Sequence, residues 1–252
     1  MNCYAVLQTE TAMPDPERVR RAIRGMENIT DADAARLSRG AYGILMKRIA
    51  LEEARLLQRL LQSNGIASEV VILDQLPPVA DAKEIRHAEL SPASLIIFDP
   101  LGRRVPLEWK HIAMLSAGVV KHFGLTATRR DEQVFRPSMT KGLMQTVSSV
   151  RHQVEESTQH LLDIYVAGGG MRFRIDGAKF LFKFVLDRPE MSMPEKFAWL
   201  IRTLGEHAPQ AMLNRGAVAF RDGAATPVEY ETLGAWEDES LWLLWQKTSK
   251  PG

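Results

Sequence analysis

Between Leu51 and Ser63 apolar residues recur at Ala54, Leu57, Leu60 and Leu61, and Asn64-Gly65 follows at once. The spacing predicts a helix with one inward stripe, and the Asn-Gly pair supplies its left-handed stop. Ile66 to Leu73, with Val70-Val71-Ile72 at its centre, then reads as a β-branched strand. Helix and strand in direct succession predict an α+β chain.

Upstream the same alternation is legible. Tyr4 to Leu7 predicts a short strand, after which Met13-Pro14-Asp15-Pro16 gives a break, a capping acid and a proline at the first helical position. Val19, Ala22, Ile23 and Met26 form the buried stripe of that helix, with Gly25 near its end, while Arg18, Arg20, Arg21 and Arg24 take its other faces. Thr30 with Asp33 caps a second short helix that turns Ala34, Ala35 and Leu37 inward, and Gly40 and Gly43 close it. Ile44 to Ile49 is the next strand.

This order, with Val19-Arg20-Arg21-Ala22-Ile23-Arg24-Gly25 in the first helix and Glu53 to Leu61 before Gly65, resembles the C-terminal domain of the bacterial ribosomal stalk protein. The Clp protease adaptor has a related fold. The likeness covers about residues 3–74. It implies a βααβαβ sandwich that has no catalytic residue and recruits partner proteins on a helical face. Carried onto this chain, it marks Arg18, Arg21 and Arg24 as the exposed basic face. The competing reading is that these three are solvated surface charges.

A chain of 252 residues, 45% hydrophobic and 25% charged, has ordinary globular composition and the length of two domains. Lys and Arg number 32 against 31 Asp and Glu, so a formal charge of +1 disfavours strong polyanion binding by the whole chain. Nucleic acid and anionic lipid therefore rank behind a protein partner. Cys3 is the single cysteine, which excludes an internal disulfide and a multi-thiolate metal site and fits a reducing compartment. Met1 to Gln8 lacks the basic stretch and long apolar run of a signal peptide, and no apolar stretch approaches the ~20 residues of a membrane span. The expected location is the cytoplasm.

Leu76-Pro77-Pro78-Val79-Ala80 opens a linker over 76–92, which divides a first domain over 1–75 from a second over 93–252. The second is expected to be β-rich. Ser94 to Phe98 predicts a strand, Asp99-Pro100-Leu101-Gly102 a turn, and Arg104 to Leu115 a further strand or short helix. Polar residues dominate 125–159, which reads as a loosely ordered insertion. Leu161 to Val166 and Met171 to Ile175 alternate as paired strands about Ala167-Gly168-Gly169-Gly170, with Arg172 and Arg174 on a solvated face. Phe180 to Leu186, Gly216 to Phe220 and Leu241 to Gln246 read as strands, and Ser192-Met193-Pro194-Glu195 caps a helix running to His207. Trp199, Trp236, Trp242 and Trp245 read as packing residues. The pattern is loosely similar to bacterial pleckstrin-homology-like small barrels.

Groups for catalysis are scattered. None of His87, His111, His122, His152, His160 and His207 falls in a His-Glu-x-x-His motif, and neither a Gly-x-Ser-x-Gly elbow nor a Gly-x-Gly-x-x-Gly turn occurs. The 168–170 glycines lack the Gly-Lys-Ser/Thr of a phosphate loop, and Cys3 is expected to be a buried, inert thiol. Neither a cofactor nor a metal is expected. The expected function is a non-catalytic protein-interaction or regulatory module. The alternatives are an enzyme with its site between the two domains, and an anionic-lipid or nucleic-acid binder acting through Arg18, Arg21 and Arg24.

Overall fold

The computed structural model describes the backbone of residues 3–27, 29–99, 101–136 and 143–249, and the side chains of all these except 123–156. It is an α+β protein. The first part runs β1 (Tyr4–Gln8), α1 (Pro16–Arg24), α2 (Asp31–Arg39), β2 (Ile44–Ile49), α3 (Leu51–Ser63) and β3 (Ser68–Ile72). Local chemistry sets these boundaries. Asp15 accepts the Glu17 N–H at 2.9 Å, Thr30 accepts that of Asp33 at 3.1 Å, and Gly65 ends α3 at φ 73°.

The three strands form an antiparallel sheet in the order β2-β1-β3, which makes β1 central. Successive side chains of a strand point to opposite faces. Val6 accordingly joins Val19, Ile23, Leu57 and Leu61 beneath the helices, whereas Ala5 and Leu7 face the other way, among Tyr42, Ile44, Val71 and Leu76. That second face needs its own cover.

The chain continues as β4 (Ala82–Glu84), β5 (Ala88–Leu90), β6 (Ser94–Phe98), β7 (Arg104–Glu108), β8 (Ile112–Arg136), β9 (Leu143–Val166) and β10 (Arg172–Asp176). After these come α4 (Met193–His207), β11 (Met212–Leu213), α5 (Arg215–Asp222), β12 (Glu229–Tyr230) and α6 (Leu233–Ser249). One sheet has the order β11-β8-β9-β10-β4 with β12 beside β8, and β5-β6-β7 form a small third sheet. Its core joins Leu115, Leu162, Ile164 and Ile175 of the strands to Phe197, Leu200 and Ile201 of α4 and Phe220 of α5. Two compact units result: residues 1–120 together with 159–252, and residues 121–158.

Five sequence expectations are corrected. The polar stretch 125–159 carries strand backbone, β8 reaching Arg136 and β9 starting at Leu143, in keeping with its β-branched Thr126, Thr128, Thr146, Val147, Val150 and Val154. Phe180 to Leu186 is not a strand but one tight turn, in which the Phe182 carbonyl accepts the N–H groups of both Val185 and Leu186. Gly216 to Phe220 belongs to α5, whose signals are the Asn214 cap and the left-handed Gly223 stop. Leu241 to Gln246 belongs to α6. Cys3, expected to be buried, is exposed beside β1.

Helix α6 is the missing cover. Trp242 is wholly buried among Ala5, Leu7, Tyr42 and Ile44, and its Nε1 donates to the Gln8 carbonyl at 2.7 Å. The Tyr42 ring meets it edge-on at 5.1 Å. Gly43 makes the approach feasible, because a Cβ there would stand 2.8 Å from the indole and the backbone lies at φ 74°. Trp242→Ala should therefore cost about 3–5 kcal/mol in urea unfolding, the range for truncating a buried tryptophan. A loss near zero would show that α6 does not hold the first sheet.

Candidate functional site

Helical residues one apart point about 100° apart, so Glu237, Asp238 and Glu239 of α6 reach three directions. Asp238 meets Lys47 of β2 at 2.6 Å. The buried Glu239 takes the Arg215 guanidinium at 2.8 Å and the Tyr230 hydroxyl at 2.9 Å. Glu237 meets Arg174 at 2.9 Å and Arg172 at 3.1 Å.

Those two arginines stand on β10 with their side chains directed into the protein. Antiparallel pairing sets Arg174 opposite Asp163 of β9 and Arg172 opposite Tyr165. Arg174 forks onto Asp163, Nε to Oδ1 and Nη2 to Oδ2, both at 2.8 Å. Arg172 Nη1 lies 3.3 Å from the Tyr165 hydroxyl and 3.4 Å from Asp163 Oδ2. Burial pushes the Asp163 carboxyl above its ordinary value, and the guanidiniums of Arg174 and Arg172 oppose that shift. Desolvation works against the Arg174 charge, yet hydrogen bonds and charges from Asp163 and Glu237 raise that group above the usual arginine value.

The expectation that Arg172 and Arg174 are solvated is thus overturned. Arg172 is 7% exposed and Asp163 is fully buried. A signal was available in the sequence, since counting outward from the Gly168–Gly170 turn pairs Asp163 with Arg174, and an acid inside Leu161-Leu162-Asp163-Ile164 needs a buried partner.

Beside this network lies a cavity of about 520 Å³. Its walls come from Pro77 to Ala80, from the β9–β10 turn, and from Leu244, Lys247 and Thr248 at the end of α6. Tyr165 and Arg172 line it as well. The turn and the linker fit closely. Gly169 stands at φ 72°, and a Cβ there would lie 3.0 Å from the Pro78 carbonyl. Arg172 Nε is a buried donor with no acceptor among the described residues. Burial raises the Tyr165 hydroxyl, followed by the Asp163 charge, so at neutral pH it is a hydrogen-bonding group and not a base.

Elsewhere, Arg18, Arg21 and Arg24 are exposed on α1, away from its buried stripe. Arg18 faces Asp15 at 3.7 Å, Arg24 pairs with Asp31 at 2.7 Å, and Arg21 Nε donates to the Glu17 carbonyl at 3.5 Å. The histidines are dispersed. His87 is stacked on Phe98 and meets Phe184 at a tilt, His207 lies on Trp109, and burial lowers the pKa of the half-buried His160. His152 lies outside the residues whose side chains are described. Among the described residues no cluster of three or more His, Cys, Asp or Glu could hold a metal ion, and no helix is long and apolar enough to cross a membrane.

Comparison with protein-family models, with curated proteins and with solved structures finds no match to this chain.

Breaking a buried ion pair on one side leaves uncompensated charge and costs about 3–5 kcal/mol. Asp163→Ala, which strands Arg174 and Arg172, should lower unfolding stability by that amount. Wild-type stability in the variant would mean that the network contributes nothing to the fold.

Proposed function

We propose that this protein is a non-catalytic regulatory module of the reducing cytoplasm that captures a small molecule in the cavity under the end of α6. The observation that carries the reading is the cavity's make-up. Its walls are mostly apolar, in the size range of small-molecule sites, with few polar groups at defined places. Those groups, Tyr165, Arg172, Lys247 and Thr248, can bind and orient a ligand. Among the described residues its lining holds no carboxylate, imidazole or thiol.

Three segments far apart in sequence meet at the cavity: the linker, the β9–β10 turn and the last turns of α6. A ligand touching all three stabilises their joint arrangement by mass action, about 2.7 kcal/mol at a hundredfold excess over Kd. Such a site reports ligand concentration as stability and position of α6.

A second reading keeps the exposed α1 face as a docking surface for an acidic protein partner. Arg21 favours it, because its only partner among the described residues is a backbone carbonyl. Arg18 and Arg24 spend part of their charge on Asp15 and Asp31.

The neutral fluorophore N-phenylnaphthylamine tests the first reading. The full-length protein should bind one equivalent with enhanced emission, and Ala80→Trp, which fills the cavity from the linker side, should abolish binding while leaving the circular dichroism spectrum unchanged. Equal binding by both proteins would remove the cavity from the proposal.

A further inference from the structure

We propose that the ligand of this cavity is an amphipathic monocarboxylate, its apolar body against Pro77, Val79 and Leu244 and its single negative charge between Arg172 and Lys247. The inference rests on the reading of the cavity as a binding site and names the chemistry of its occupant.

Arg172 supplies the first argument. Its Nη1 is committed to Tyr165, Asp163 and Glu237, and Nε is a buried donor with no acceptor among the described residues. The side chain lines the cavity wall, so its guanidinium charge acts on a head group bound there.

Lys247 supplies the second. It lines the same cavity, is exposed on the last turn of α6, and has no carboxylate partner among the described residues. Asp163 and Glu237 balance Arg172 and Arg174, which leaves Lys247 as one net positive charge at the site.

Charge selects the head group. A phosphate monoester carries close to two negative charges and several strong acceptor oxygens. One surplus cation matches it poorly, but it matches a carboxylate. An ammonium head would meet Arg172 and Lys247 and be repelled. A neutral hydroxyl gains little from either charge. Apolar walls then require that the rest of the molecule be hydrocarbon-like, since burial of apolar surface is the main source of affinity in such a site.

The test uses the full-length protein loaded with N-phenylnaphthylamine and titrated at neutral pH with decanoate, decanol and decylamine, which share one chain and differ in head-group charge. Decanoate should displace the probe at concentrations about tenfold below decanol, equivalent to about 1.4 kcal/mol, and decylamine should be the weakest. Lys247→Gln lies on an exposed turn and keeps the fold. It should weaken decanoate several-fold and leave decanol unchanged. Equal displacement by decanoate and decanol, preference for decylamine, or an unchanged decanoate affinity in Lys247→Gln would overturn the carboxylate assignment and leave the cavity as an apolar site. Failure of the wild-type protein to bind the neutral probe at all would overturn the binding-site reading and this inference with it.

Discussion

Docking of α6 onto the open face of the first sheet is the interaction on which the rest of the structure depends. The β1 strand is buried on both faces, and Val6 is served by α1 and α3 while Ala5 and Leu7 are served by Trp242. The same helix places Glu237 against Arg172 and Arg174, Glu239 against Arg215, and the Ser240 hydroxyl 2.7 Å from that of Ser116. Apolar contact supplies the driving force on the sheet side, and paired charges fix orientation on the other. A helix used on several sides shows no single apolar stripe.

That last point explains what could be read in the sequence. The first 72 residues were legible because each helix there buries one face and ends in a capping acid, threonine or glycine. Element order, strand positions and the inward residues Val19, Ala22, Ile23, Leu57 and Leu61 follow from periodicity together with these end signals. In α6 the run Leu241-Trp242-Leu243-Leu244-Trp245 has no helical spacing, since Trp242 faces the sheet, Trp245 donates to Glu69, and Leu244 lines the cavity. A continuous apolar run of that length is equally a buried strand by pattern. What excludes a strand is tertiary: the first sheet lacks a cover until the helix supplies it.

The candidate site was illegible for a related reason. Its polar members come from a hairpin, and its walls come from a linker and a terminal helix, so no local motif joins them. Charged residues in a strand are ordinarily solvated, and that expectation failed at Arg172 and Arg174 because Asp163 and Glu237 wait on neighbouring elements. Pro77 and Pro78, which mark a linker by composition, also serve as cavity wall, with the Pro78 carbonyl against Gly169.

If α6 holds the first sheet to the β9–β10 hairpin and closes the cavity, it opens only when the whole compact unit does. Native-state amide hydrogen exchange measures this directly, because protection reports the free energy of the opening that exposes each amide. The account predicts that amides of Trp236 to Trp245 exchange with the same opening free energy as those of β1 and β10. Exchange of α6 by local opening, several kcal/mol below that of the two sheets, would contradict it.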